Sequence, residues 1–240
     1  MKFANPLIAG TLVQRYKRFL ADVRLDSGET ITATCPNTGS MLGLTTPGSK
    51  VWLSQSDSAT RKYKHTWELI EAEGGVGTTL VGINTNHPNA LVTEAITSGL
   101  IEPLAGYKSL RREVKYGVNS RIDILLEQGT DPRPCYVEIK NVHLSRVAGL
   151  AEFPDSKTER GAKHLAELSN MVAGGCRAVM VYLIQRGDAQ SFTLARDIDP
   201  AYAAAYQTAR EAGVEMLAYA CRITPEGIAV ARQVPLVERL

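Results

Sequence analysis

One hairpin, formed by residues 120–142, constrains the fold of this chain more than any other stretch. Its first strand, SRIDILLE, alternates Ile122, Ile124 and Leu126 with polar side chains. A period of two is typical of a β-strand, so we expect these three apolar side chains to share one face. The turn sequence QGTDPR leads into a second strand, PCYVEIKNV, which is also rich in β-branched residues.

The polar faces of the two strands bring acidic side chains together. A turn centred between Thr130 and Asp131 places Asp123 opposite Glu138, with Cβ atoms about 5 Å apart. Close carboxylates resist joint ionisation unless a cation neutralises them. The pattern therefore predicts a divalent metal site, with Lys140 beside it on the same face of the second strand.

Composition indicates a globular chain without a membrane span. The 240 residues are 44% hydrophobic, which is enough for one large domain or two small ones. No apolar run approaches the roughly 20 residues that a membrane helix needs, so we expect a cytoplasmic protein with no membrane partner. Widely spaced cysteines without zinc-finger spacing are predicted to be reduced structural thiols. They are Cys35, Cys135, Cys176 and Cys221.

The N-terminal part is predicted to be an OB-like β-barrel. Several short strand-like runs occupy it, beginning with a long run over residues 7–25. Although the whole chain carries only +2, residues 1–64 hold nine basic and four acidic residues, a net +5. Basic segments with interleaved aromatics suit a DNA-binding barrel, and a solvated strand surface explains them equally well. The basic residues concerned are Arg15, Lys17, Arg18, Arg61, Lys62 and Lys64.

The remaining chain is predicted to be an α/β domain with a mixed sheet flanked by helices. Three glycines within residues 73–79 mark a linker, so we place the domains at residues 1–78 and 79–240. Ser156 and Glu159 have the spacing of a capping box at a helix start. The predicted elements are a helix over 88–97, strands over 110–116, 120–127 and 134–142, a helix over 156–172, a strand over 178–184, a helix over 200–212 and a strand over 214–223.

Context selects one Glu-x-Lys tripeptide from the similar ones in the chain. Asp155, in Asp-Ser-Lys, follows a proline and precedes a helix, so it is predicted to be a helix cap. Glu113, in Glu-Val-Lys, has no Asp in a preceding adjacent strand. Only Glu138 has an acidic partner across a predicted hairpin.

An Asp, a hairpin turn and then Glu-x-Lys on the next strand resemble the core of the PD-(D/E)xK nuclease superfamily. The resemblance implies a phosphodiesterase site in which Asp123 and Glu138 bind Mg²⁺ (or Mn²⁺) and Lys140 orients or activates the attacking water. It also implies an extra acidic ligand, for which Glu94 and Glu113 are the alternatives. Ile122 stands where the superfamily usually has proline.

A second resemblance covers the whole chain and involves five blocks in order. These are KRFLADV, CPNTGSM, SRIDILL, YVEIKNV and FPDSKTERGAKHLAEL. The chain is similar in them to the sugar fermentation stimulation protein family. That family is regarded as DNA-binding, with an OB-like barrel followed by a nuclease-like domain, and the resemblance implies the same here.

Two functions follow as expectations. The first is a largely sequence-independent DNA-binding protein with a magnesium-dependent phosphodiesterase site in its C-terminal domain. The alternative is a non-catalytic DNA-binding factor, involved in the regulation of sugar metabolism, that retains the nuclease fold. Arg160 and His164, spaced i and i+4 near a predicted helix start, could meet a DNA phosphate there. A core or surface position for His164 is the other possibility.

Overall fold

In a computed structural model, a closed five-stranded β-barrel forms the N-terminal part of the chain. The first strand pairs with the second and fourth, and pairing of the third with the fifth closes the barrel. Trp67 and Leu53 are fully buried in its core. The predicted barrel is thus confirmed. Its strands are β1 (Ile8–Tyr16), β2 (Leu20–Leu25), β3 (Thr30–Thr34), β4 (Lys50–Gln55) and β5 (His65–Glu73), and β6 (Thr78–Gly82) extends the sheet beside β5.

The structure describes residues 1–75, 77–117 and 120–238. Val76, within the predicted linker, and Val118 and Asn119, in the turn before the hairpin, lie outside the described residues. No helix in the described part of the chain is long and apolar enough to cross a membrane.

One predicted strand, over residues 7–25, is wrong as a single element. The chain reverses between β1 and β2 at Lys17 and Arg18, which have φ values of 50° and 63°. Left-handed backbone is costly for residues with a Cβ, so turns of this kind usually contain glycine or asparagine. Neither residue is present at these two positions, and sequence analysis therefore found no signal for the turn. Arg15 holds it in place by donating hydrogen bonds from its guanidinium to the Arg18 carbonyl oxygen at 2.9 and 3.2 Å.

The C-terminal part is built on a six-stranded mixed sheet. Its strand order is β15-β14-β12-β9-β8-β7, with β12 parallel to both β9 and β14. The predicted mixed sheet is confirmed. Its elements are α1 (Pro88–Thr97), β7 (Ser109–Tyr116), β8 (Ser120–Glu127), β9 (Cys135–Val142), α2 (Glu159–Ala173), β12 (Arg177–Ile184), α3 (Pro200–Glu211), β14 (Glu215–Thr224) and β15 (Gly227–Gln233).

A small second sheet, which sequence analysis did not predict, takes two strands from the segment between β9 and α2 and one from the segment after β12. It consists of β10 (Leu144–Val147), β11 (Leu150–Phe153) and β13 (Ser191–Leu194). The strands are four residues each, and β11 pairs in parallel with a strand about forty residues further along. Such short strands carry too little alternation to be recognised before their partners are known.

The main sheet separates two apolar clusters. β12 alternates between them, because Val179, Val181 and Leu183 face the cluster with α1 whereas Met180 and Tyr182 face the cluster with α2 and α3. A strand buried on both faces explains the continuous apolar run AVMVYLI. Helices therefore cover both sides of the sheet, as predicted.

The start of α2 differs from the predicted capping box. Thr158 is the N-cap, and its hydroxyl accepts a hydrogen bond from the Gly161 backbone N–H at 3.1 Å. Ser156 lies outside the helix. Asp155, predicted to be a cap, instead accepts hydrogen bonds from the Met41 backbone N–H at 2.9 Å and from His143 Nε2 at 3.2 Å. It thereby ties a loop of the barrel to the approach of α2.

A buried carboxylate fixes the position of α1 relative to the barrel. Glu68 on β5 is 5% exposed and accepts hydrogen bonds from Ser54 Oγ at 2.6 Å and from Asn84 Nδ2 and His87 Nε2, both at 2.8 Å. Burial alone would raise the pKa of Glu68, but these hydrogen bonds outweigh it and lower the pKa. Asn84 and His87 immediately precede α1, so Glu68 anchors the start of that helix.

We expect Glu68→Ala to lower the free energy of unfolding by about 2–3 kcal/mol, because it leaves buried donors without an acceptor. Equilibrium urea denaturation at neutral pH measures the change. The control is Glu73→Ala, an exposed glutamate on the same strand. Equal stability losses in the two variants would contradict the anchoring role.

Candidate metal centre

The Asp123 carboxylate interrupts the pairing of β8 with β9. The strands pair from the turn as far as Ile124 and Val137, in the predicted register. Beyond that point the Ile139 N–H donates a hydrogen bond of 2.7 Å to Asp123 Oδ2. A side-chain oxygen therefore accepts the hydrogen bond that a backbone carbonyl of β8 would accept in a regular pair. This hydrogen bond holds Asp123 beside Glu138.

The interruption also changes which side chains face which cluster. Ile124 packs in the cluster with α1, whereas Ile122 packs in the cluster with α2. The prediction that Ile122, Ile124 and Leu126 share one face is therefore wrong for Ile122. Alternation ends at Asp123 because regular pairing with β9 ends there.

Glu113 lies opposite Asp123 on the other neighbouring strand. The flanking pairs are Arg112 with Ile124 and Val114 with Ile122. Glu113 has φ 53°, a left-handed conformation that costs a non-glycine residue about 1–3 kcal/mol. The structure therefore places this candidate ligand next to Asp123.

Asn89, in the first turn of α1, joins these two acids. Its Nδ2 donates to Glu113 Oε1 at 2.8 Å and to Asp123 Oδ1 at 2.9 Å. Sequence analysis missed Asn89, because the predicted helix over 88–97 gave no indication that its first turn lies beside these strands. The structure does not bring Glu94 to the same place.

Glu94 faces away from Asp123. It lies five residues after Asn89, which is about 140° around the helix. Its carboxylate is largely exposed and accepts a hydrogen bond of 2.6 Å from the backbone amine of Met1. Of the two proposed extra ligands, only Glu113 is therefore next to the Asp123 carboxylate.

Glu138 is only 3% exposed and is held on one side. Its Oε1 accepts hydrogen bonds from Lys140 Nζ at 2.8 Å and from His164 Nδ1. Its Oε2 is buried and has no hydrogen-bond partner among the described residues. An ionised carboxylate with one buried free oxygen is a ready cation ligand.

His164 lies within the carboxylate cluster, 5% exposed, and does not project from a helix surface. Its Nε2 accepts a hydrogen bond of 3.3 Å from Arg160 Nε, which can only donate. The ionised Glu138 carboxylate can only accept, so Nδ1 carries the proton of that contact, and Lys140 Nζ lies 3.2 Å from the same nitrogen. Arg160 is exposed, so it alone of the two remains available to a phosphate.

The two acids differ in their electrostatic environments. Burial and the neighbouring charge of Glu138 raise the pKa of Asp123 to about 6. Burial would also raise the pKa of Glu138, but the hydrogen bond from His164 and the positive charge of Lys140 outweigh it and lower the pKa. Glu138 therefore stays ionised as the pH falls, and Asp123 takes up the proton first.

A cavity of about 790 Å³ opens over these groups, between the first turns of α1 and α2. Its lining includes Asp123, Glu138 and Lys140 together with Glu113 and Asn89. The basic members of its lining, besides the lysine named above, are Arg112, Arg121, Arg160 and Lys163.

The donor set fits a hard divalent cation. In the described parts of the chain no three His, Cys, Asp or Glu side chains converge as a complete ligand shell. Magnesium in proteins commonly takes one or two carboxylates and fills its other positions with water and substrate phosphate. Asp123 and the free Oε2 of Glu138 would meet that requirement.

The basic residues of the barrel lie outside this cavity lining. Arg15 donates to the carbonyl oxygens of Asn37, Gly39 and Ser40 as well as Arg18, so its guanidinium holds two loops together. Arg61 donates to two threonine hydroxyls of the barrel. Four predicted DNA-binding residues remain exposed: Lys17, Arg18, Lys62 and Lys64.

Comparisons with known proteins match the whole chain. A family model described as the sugar fermentation stimulation protein RE domain matches residues 86–227, and one described as the SfsA N-terminal OB domain matches residues 13–83. A sugar fermentation stimulation protein homolog from Sinorhizobium medicae is 58% identical over 225 residues, covering 94% of this chain and 92% of its own length. A homolog from Azorhizobium caulinodans is 56% identical over 237 residues, covering 99% and 100%.

A solved structure is similar over nearly the same extent. The structure of Pyrococcus furiosus SfsA, described as a complex with Ca²⁺, aligns with a TM-score of 0.87 and 26% identity. The alignment covers 99% of this chain and 98% of that one.

The raised pKa of Asp123 gives a stability prediction. The folded state holds the proton more tightly than the unfolded state, so stability due to this group is present at low pH and is lost as the pH rises through about 6. The loss between pH 4 and pH 7 is about 2 kcal/mol. Asp123→Asn removes it, so the stability of the variant relative to wild type rises across that range in urea denaturation. Parallel pH profiles would contradict the shift.

Proposed function

The chain belongs to the sugar fermentation stimulation protein family, and from that membership and the carboxylate cluster we propose a DNA-binding, metal-dependent phosphodiesterase of the PD-(D/E)xK type. Asp123 and Glu138 would hold Mg²⁺ or Mn²⁺, and Lys140 would orient the attacking water. The observation that carries the proposal is the buried Glu138 Oε2, which has no partner among the described residues, in the cavity that Asp123 also lines. The Ca²⁺ complex of the Pyrococcus furiosus relative supports a divalent ion.

The chain's own residues would divide the work. A bound divalent ion supplies Lewis-acid polarisation of the phosphate and lowers the pKa of water. The Ile139 N–H and the Asn89 amide hold the two Asp123 oxygens, which fixes the direction of that carboxylate. His164 and Lys140 both restrain Glu138 through hydrogen bonds to its Oε1. Lys140 also lines the cavity, where its ammonium group can contact a phosphate or a water.

The barrel would add sequence-independent DNA binding. The turn that carries Lys17 and Arg18 adjoins the end of β3, because the Phe19 carbonyl accepts from the Cys35 N–H at 2.8 Å. Arg61 donates to Thr34 at the same strand end. The basic segments 15–18 and 61–64 thus lie close to each other. OB barrels commonly bind nucleic acid along a basic surface of this kind.

A non-catalytic DNA-binding factor is the second candidate, and one observation favours it. Both oxygens of Asp123 already accept hydrogen bonds from protein groups, and Glu138 Oε1 accepts two. Most of the cluster is therefore satisfied without an ion, as in a fold kept as a scaffold. Cleavage and cation-binding measurements separate the two candidates.

We expect Asp123→Asn and Glu138→Gln each to lower Mg²⁺-dependent cleavage of DNA by at least about a hundredfold, since each removes charge that holds the ion. Labelled single-stranded, duplex and branched DNA, resolved on denaturing gels, provide the assay. Glu94→Gln is the control, because its side chain lies outside the cavity lining. Cleavage that persists in both variants would contradict the assignment of Asp123 and Glu138 to the catalytic site.

Cation binding itself should depend on pH. Because Asp123 must lose its proton to bind an ion and its pKa is about 6, the affinity for Mn²⁺ is expected to rise about tenfold between pH 5 and pH 7. Isothermal titration calorimetry without DNA measures it, and Glu138→Gln should abolish the heat. A folded wild-type protein that binds no Mn²⁺ at pH 7 would favour the scaffold.

A further inference from the structure

Three basic side chains on the β7–β8 hairpin have no partner within the part of the chain that the structure describes. They are Arg112, Lys115 and Arg121, which we call the hairpin cations. All three are exposed, and none makes an ion pair or side-chain hydrogen bond among the residues that the structure describes. Other arginines are paired: on the same hairpin Arg111 pairs with Glu127, and on β12 Arg177 pairs with Glu215.

Two of the hairpin cations lie directly opposite each other. Lys115 and Arg121 are register partners in the antiparallel β7–β8 pair. Side chains in such positions are about 5 Å apart at Cβ, and like charges there destabilise the pair. A bridging anion would remove that repulsion, so the arrangement favours an anionic ligand.

Two of the three hairpin cations line the cavity over the carboxylate cluster, and Lys115 lies opposite one of them, Arg121. Arg112 and Arg121 line the same cavity as Asp123 and Glu138. Arg121 and Asp123 are two residues apart on β8, a span of about 7 Å along an extended strand. That is close to the rise of two nucleotides along one DNA strand, about 3.4 Å each. Arg160 lines the cavity from α2.

The cavity offers no surface for base stacking. None of its lining residues in the described chain is Phe, Tyr or Trp, and the one imidazole, His164, is 5% exposed and held against Glu138. Recognition of single-stranded bases usually depends on aromatic platforms, whereas Lys and Arg contacts to phosphates act on the backbone and are independent of sequence.

We propose that the hairpin cations bind the phosphodiester backbone next to the phosphate that faces Asp123 and Glu138. This inference rests on the proposed function, because it takes the occupant of the cavity to be a nucleic acid strand. It assigns the main phosphate contacts near the site to the β7–β8 hairpin, in addition to the grip by the barrel. The nucleic acid is recognised by the charge of its phosphates and not by the identity of its bases.

The test removes the three charges and measures DNA binding without hydrolysis. The variant is Arg112→Gln, Lys115→Gln, Arg121→Gln, and the probe is a fluorescein-labelled duplex of about 20 base pairs in EDTA, followed by fluorescence anisotropy at several salt concentrations. Each lost phosphate contact reduces the slope of log affinity against log salt by about 0.9, so the slope should fall by about 2 to 3. Affinity at low salt should fall about tenfold, equally for two unrelated duplex sequences.

The matched control is Arg24→Gln, Arg196→Gln, Arg222→Gln, which removes the same charge from exposed positions outside the hairpin and the cavity lining. An equal loss of slope in the control would overturn the proposal, because net charge would then explain the effect. An unchanged slope in a folded triple variant would overturn it as well. If circular dichroism shows the triple variant to be unfolded, the single change Arg121→Glu is measured instead and should weaken binding more than Arg24→Glu.

The binding result is independent of the catalytic one. Absence of Mg²⁺-dependent cleavage by the wild type would contradict the proposed function, while the loss of salt slope would still support the hairpin contacts. Conversely, cleavage by a triple variant that retains the full salt slope would support the metal centre and overturn the hairpin contacts.

Discussion

The hydrogen bond from the Ile139 N–H to the Asp123 carboxylate is the interaction on which the rest of the site depends. It replaces a strand-to-strand contact by a strand-to-side-chain contact, so β8 leaves β9 at this point. The side chains of β8 exchange faces there, and Glu113 on β7 adopts a left-handed conformation at the matching position. Because the sheet is locally irregular, groups from α1 and from α2 can both reach one cavity. A regular sheet would keep those two helices on separate sides.

The two acids at the centre acquire different properties from their neighbours. Glu138 is the more buried, yet it stays ionised because an imidazole and an ammonium group donate to it. Asp123 receives a backbone amide and an asparagine amide, which are neutral donors, and its pKa is raised. The Lys140 ammonium is a charged donor, and a charged donor stabilises a carboxylate more than a neutral amide does. The identity of the donors, more than the depth of burial, therefore sets the order in which the pair takes up protons.

Sequence analysis predicted the elements whose causes are local. Alternation and a central turn predicted the hairpin register, and the helices predicted over 88–97 and 156–172 correspond to α1 and α2. Features set by distant contacts were not predicted. Arg15 reaches across to hold a turn without glycine, Asp199 accepts from the Thr158 N–H at 2.7 Å where Ser156 seemed the better cap, and His164 turns inward because Glu138 lies behind it. Asn89 was missed for the same reason, since only the assembled helix and strands show that its amide faces two carboxylates.

The Glu68 carboxylate limits how far the two parts of the chain are modular. It belongs to a barrel strand, but its partners Asn84 and His87 belong to the segment that starts α1, and Asn89 follows in the first turn of that helix. A fragment that begins after the barrel would lose the acceptor that orients its own cavity wall. Exchanging barrels between relatives would preserve the site only if the incoming barrel presents a carboxylate at this position. The barrel and the C-terminal α/β domain are thus distinct folds, but the position of α1 beside the cavity depends on both of them.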